Sequence, residues 1–132
     1  MSTFLGHQTT IDFYNCKNTQ INSCSFIEQT LLKAAKIIGL TVVNTTIHKF
    51  SPIGVSGVIV IEESHIAIHT WPEHNYVAID FFTCNNSFNL SEGINWLQEQ
   101  FKAENFTTAD IKRGSLKEIA TYKKLKKLNQ SL

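Results

Sequence analysis

This 132-residue chain predicts an α+β fold, a two-layer sandwich of an antiparallel β-sheet with two main helices on one face. Strand-like segments follow one another through the middle of the chain without a helical stretch between them, which favours antiparallel pairing. Just two long amphipathic stripes occur, enough to cover one sheet face. A hydrophobic content of 42% suits one domain, residues 1–132, with a modest core. The second face must be polar or meet another copy, so the sheet is expected to be completed or covered by dimerisation.

Gln8 to Cys16 alternates as a strand, with Thr10, Asp12 and Tyr14 opposite Ile11 and Phe13. Asn15 to Ser23 is polar and turn-like. Ser25-Phe26-Ile27-Glu28 has the form of a capping box, the serine taking an orphan amide and Glu28 reaching back. Behind it Phe26, Ile27, Leu31, Ala34, Ala35 and Ile38 make a helical stripe that stops at Gly39, a left-handed cap. Leu40 to Phe50 is rich in β-branched residues and reads as a second strand, broken by Ser51-Pro52-Ile53-Gly54. Gly57 to Glu63 is a third, and its continuous apolar run implies burial on both faces. His65 to Trp71 and Tyr76 to Thr83 form a fourth and fifth, joined by a turn over Pro72–Asn75. Residues 84–87 read as loop. Asn89 to Glu92 caps a second helix with Ile94, Leu97, Gln98 and Phe101 on one face. Asn105 to Lys112 is a sixth strand, ending in Arg113-Gly114, and Leu116, Ile119, Tyr122, Leu125 and Leu128 set out a short C-terminal helix with lysines outside.

Composition narrows the classes of function. The longest apolar runs are too short for a membrane span, and no basic segment followed by an apolar one marks a signal peptide, so a cytoplasmic location is expected. Cys16, Cys24 and Cys84 form no C-x-x-C pair, which reads as reduced thiols. Residues 115–132 carry five lysines and one glutamate; the net charge of +1 therefore leaves −3 on residues 1–114. With one arginine in the chain and no interleaved aromatic or glycine pattern, that basic tail is a solvated helix face and no nucleic acid is expected.

Chemistry concentrates between Gly54 and Cys84. Ser56, Glu62, Glu63, Ser64, His65, His69, Glu73 and Cys84 fall within about thirty positions, more reactive groups than a sheet core needs. A metal site fits poorly: His65 and His69 are about 13 Å apart on a strand at roughly 3.3 Å per residue, whereas zinc ligands sit about 2 Å from the ion. A Ser- or Cys-dependent hydrolase fits no better. Ser64 lacks the glycines of a strand–elbow–helix nucleophile, no Asp stands in an orienting role for His69, and counting outward from Pro72 puts His69 and Cys84 off-register.

The segment Glu62-Glu63-Ser64-His65-Ile66-Ala67-Ile68-His69-Thr70-Trp71-Pro72-Glu73 resembles the self-cleavage and active-site motif of bacterial and archaeal S-adenosylmethionine decarboxylases. Gly54-Val55-Ser56-Gly57 upstream and Phe81-Phe82-Thr83-Cys84 downstream match the same family in order and spacing, as do Asp12-Phe13-Tyr14 and Lys112-Arg113-Gly114. The resemblance runs from about Gly6 to Gly114. Two departures stand out: Asn85-Asn86 where the family commonly has glycine, and Glu62 where many relatives have serine.

The resemblance implies a self-processing enzyme. The Ser64 hydroxyl would attack the Glu63 carbonyl, and β-elimination would then cut the chain into residues 1–63 and residues 64–132, the second capped by a pyruvoyl group derived from Ser64. It further implies His69 as processing base and Ser56 as processing helper. The substrate amine would form a Schiff base with the pyruvoyl carbonyl, and Cys84 would protonate the decarboxylated carbon. Phe50 and His69 resemble the pair that stacks on adenine, Glu73 the carboxylate on the ribose, and Trp71 a pocket wall; His65 takes a structural or hydrogen-bonding role. No metal is implied. In this family the pocket lies between two protomers, so a homodimer is expected. The expected product is decarboxylated S-adenosylmethionine, the aminopropyl donor of spermidine and polyamine synthesis. A pyruvoyl decarboxylase of arginine or ornithine, or an unprocessed non-catalytic homologue, stays open as an alternative.

Overall fold

Strand β1 takes Phe4–Cys16, starting four residues before the expected alternation. Backbone pairing with the last strand explains the extension. β5 (Tyr76–Thr83) pairs with it from His7 to Phe13 and β6 (Ala103–Ser115) from Phe4 to Cys16, both antiparallel. The computed structural model describes residues 3–84 and 88–131; the loop expected after Cys84 falls on residues 85–87, outside that range. The remaining strands are β2 (Val42–Lys49), β3 (Val55–Ile61) and β4 (Ser64–Trp71), and the sheet order is β2-β3-β4-β5-β1-β6. Every pairing is antiparallel, so the α+β sandwich holds.

Helix α1 (Cys24–Ile38) follows a 3-10 turn at Thr19–Asn22, and its cap is Ser23 rather than Ser25. The turn leaves Ser23 in extended backbone, where its hydroxyl accepts from the Phe26 N–H at 3.3 Å, while Ser25 already lies inside the helix. Glu28 is drawn away from any box by the Thr45 hydroxyl, which donates to it. Gly39 closes α1 in the left-handed region at φ +93°, as the sequence suggests. Helix α2 (Leu90–Phe101) is capped by Asn89, whose side chain accepts from the Ser91 N–H.

Period-2 alternation sends one set of strand residues toward α1 and α2. Ile11 and Phe13, Ile59, Ile66 and Ile68, and Ile79 and Phe81 are all buried there against Ile27, Leu31, Leu97 and Phe101. The Phe13 and Phe101 rings meet edge-on at 5.2 Å, a geometry worth about 0.5–1.5 kcal/mol beyond area alone. The other set faces away from the helices. Expected burial of β3 on both faces is not found: Val58 and Val60 are 42% and 44% exposed, because among the described residues nothing covers that side. On this bare face Ser56, Val58 and Val60 line up beside His69, Ala67 and His65, which face Ala78, Asp80 and Phe82 in turn. Helix α3 (Leu116–Ser131) follows β6, with Tyr122, Leu125 and Leu128 exposed. Among the described residues no helix is long and apolar enough to cross a membrane.

Candidate functional site

β3 and β4 are joined by a two-residue turn, Glu62-Glu63. Such hairpins normally use residues of positive φ so that the turn matches the strand twist. Neither glutamate has one; the positive φ falls on the next residue, Ser64, at +150°. A non-glycine residue there stores on the order of 1–3 kcal/mol of strain. The turn is also tied by three hydrogen bonds to two residues. The Glu62 N–H donates to the Thr41 carbonyl at 2.9 Å, the Thr41 N–H donates to the Glu63 carboxylate at 3.1 Å, and the Cys84 N–H donates to the Glu63 carbonyl at 3.1 Å. That last bond polarises the carbonyl of the Glu63–Ser64 peptide and supplies a donor for an oxyanion formed on it. Cys84 is exposed, immediately beyond the β5 residue Thr83 that pairs with Ser64.

A second group gathers near the other end of β3 and β4. Phe50, Ser56, His69, Trp71 and Glu73 line one cavity of about 320 Å³, together with Ile53, Gly54 and Thr70. The Ser56 hydroxyl and His69 Nδ1 share a hydrogen bond of 2.8 Å across the β3–β4 pair. The loop that carries Phe50 is closed by its N–H donating to the Gly54 carbonyl and by the Gly54 N–H donating to Asn22. Gly54 has φ +109°, a value that a side chain would resist. His69 and Trp71 follow at strand spacing, their rings 6.1 Å apart.

These two groups are separate within one chain. Ser64 and His69 are five positions apart on β4, about 17 Å at the usual strand rise. His69 and Cys84 are off-register, His69 lying opposite Ala78. A larger cavity, about 810 Å³ beside β1, β6 and the start of α2, contains none of the candidate site residues Phe50, Ser56, Ser64, His69, Trp71, Glu73 or Cys84. Among the described residues no three His, Cys, Asp or Glu side chains come together as a metal-binding group.

One residue that reaches Ser64 through His65 is missing from the residues that the sequence singles out. Asp80, on β5, places Oδ2 3.4 Å from His65 Nε2, while His65 Nδ1 is 3.5 Å from the Ser64 hydroxyl. Its signal was available: Asp80 is an acid in phase with the bare face, on the strand that the Pro72 turn pairs with β4.

A family model described as S-adenosylmethionine decarboxylase matches residues 7–114. Curated relatives named S-adenosylmethionine decarboxylase proenzyme include one from Acidithiobacillus ferrooxidans, 43% identical over 85% of this chain and 84% of its own length. Another, from Acetivibrio thermocellus, is 44% identical over 86% of this chain and 92% of its own. Among solved structures, the adenosylmethionine decarboxylase of Aquifex aeolicus superposes with a TM-score of 0.76 at 28% identity, covering 86% of this chain and 93% of that one. The AdoMetDC-delta26 monomer of Trypanosoma brucei, at 17% identity and a TM-score of 0.58, shares the fold over 77% of this chain and 44% of its own.

Proposed function

Because the chain belongs to the S-adenosylmethionine decarboxylase family, whose members depend on a pyruvoyl group, we propose that it cuts itself between Glu63 and Ser64 and then decarboxylates S-adenosylmethionine. One observation carries this reading: the carbonyl to be attacked already accepts from the Cys84 N–H, next to a serine held at φ +150°. Attack by the Ser64 hydroxyl relieves that strain and places negative charge where the amide donor points. Breakage of the resulting ester requires a base for the Ser64 Cα proton. His69 of the same chain is too far away, since proton transfer needs about 3 Å. The base is therefore His69 of a second copy, with Ser56 fixing its ring, and the protein works as a homodimer.

The exposed Val58 and Val60, on the same bare sheet face as His69, support such pairing of bare faces. Each complete site then joins Ser64 and Cys84 of one copy to the cavity of the other. Once formed, the pyruvoyl group supplies an electron sink for loss of CO₂. The chain's own residues do the rest. Phe50 and His69 stack on the adenine, Trp71 walls the pocket, and Glu73 accepts from the ribose hydroxyls. Cys84, exposed beside Ser64, delivers a proton to the substrate carbon from its thiol. The work is done in the cytoplasm, and the product serves as an aminopropyl donor in polyamine synthesis. The names of the relatives support S-adenosylmethionine over arginine or ornithine.

Intact mass of the purified chain after incubation tests the first half of the proposal. Two pieces ending at 63 and starting at 64, the second with a keto terminus, are expected; active material made of whole chains refutes it. Release of CO₂ from S-adenosylmethionine, arginine and ornithine in parallel tests the second half. Comparable release from either basic amino acid would overturn the substrate.

A further inference from the structure

Self-cutting moves two different protons, one from the Ser64 hydroxyl and one from its Cα, and the structure assigns the first to a group other than His69. The geometry points to His65 as the catalytic base of the acyl shift, with Asp80 as the residue that positions it. This rests on Ser64 being the nucleophile. His65 Nδ1 stands 3.5 Å from the Ser64 hydroxyl, a contact that shortens as the hydroxyl closes on the Glu63 carbonyl. On the far side of the ring Nε2 faces the Asp80 carboxylate at 3.4 Å, which holds the ring proton there and leaves Nδ1 with a free electron pair toward the serine.

The ring is also held flat. It stacks on Phe82 at 5.8 Å with 9° between planes, and Phe82 lies over Gly6, where an added Cβ would come within 2.7 Å of the phenyl ring. The Arg113 guanidinium sits 5.8 Å from the same phenyl ring. A histidine with no more than a structural role would not need a carboxylate behind one nitrogen and a reacting hydroxyl before the other.

The step balances without any outside reagent. Nδ1 takes the hydroxyl proton as the Oγ–C bond to Glu63 forms. The Glu63–Ser64 C–N bond then breaks, and the proton passes from Nδ1 to the departing amine, leaving an ester. His69 of the second copy acts only afterwards, at Cα.

Hydroxylamine separates the two steps, because it splits an ester at position 63 and leaves an amide whole. The full-length His69→Ala chain should stay uncut but become hydroxylamine-sensitive between 63 and 64. His65→Ala and His65→Asn chains should stay uncut and hydroxylamine-resistant, with ester formation slowed about 100-fold or more. Added imidazole should restore cutting to His65→Ala, and Asp80→Asn should slow ester formation by a smaller factor with an unchanged melting temperature. His65→Ala cutting at the wild-type rate, accumulating the ester, or staying whole in imidazole would each overturn the assignment. A wild-type chain that never cuts would instead remove the Ser64 reading and this inference with it.

Discussion

Two inactive variants should rescue one another. Ser64→Ala removes the proposed nucleophile and His69→Ala the proposed base, and each alone should leave an uncut chain. The five-residue separation on β4 puts that base about 17 Å from its own serine, several times the reach of a proton transfer. Co-expression in equal amounts gives about half mixed dimers, each with one complete and one doubly defective site. About a quarter of all chains should therefore be cut, every one of them a His69→Ala chain. Intact mass distinguishes the two variants directly. If the mixture stays whole while wild type cuts, or if His69→Ala cuts alone, the argument that the site is shared between copies is wrong.

Ser64→Gly should remain uncut yet melt a few degrees above Ser64→Ala, because glycine accepts φ +150° and releases about 1 kcal/mol of strain; equal melting temperatures would remove the strain from the account. Phe50→Ala should raise KM roughly tenfold and leave chain cutting intact, as kinetics and gels would show, since Phe50 is half exposed at the cavity mouth. Burial first, and the hydrogen bond to Asp12 second, push the Tyr76 phenol from its usual 10 up to about 12. The protonated phenol is thus favoured in the folded state. Its contribution is complete below pH 10 and is lost as pH rises toward 12, so Tyr76→Phe should flatten the alkaline fall in stability and remove the last step of an absorbance titration. Ser23→Ala should cost about 1 kcal/mol in denaturant melts while Ser25→Ala costs little, because Ser23 caps α1.

The order of strands and helices was legible because alternation, apolar stripes and punctuating residues such as Gly39 and Asn89 all agree locally. Where the reading went astray, longer-range contacts decided. Ser23 and Ser25 compete for the same cap, and only the preceding 3-10 turn selects the first. The run Val58 to Ile61 looks buried on both sides, but the chain supplies one helical layer and leaves Val58 and Val60 open. The candidate site residues were nameable one by one from the resemblance of the motif. Their division into two groups needs only the strand rise applied to Ser64 and His69, whereas the Cys84 N–H bond to Glu63 depends on how β5 ends beside the β3–β4 turn and has no sequence signature.

The sheet order bears on what the proposed cut between Glu63 and Ser64 would do. Residues 1–63 own β1, β2 and β3, and residues 64–132 own β4, β5 and β6, yet β1 lies wedged between β5 and β6. Pieces severed there would be interlaced along three seams, so they could not drift apart without dissolving the sheet. The proposed cut would be mechanically silent in the native state but would not be undone by refolding. A melted precursor has every strand on one thread and can find its way back, whereas two melted fragments must meet again by diffusion, making recovery depend on concentration.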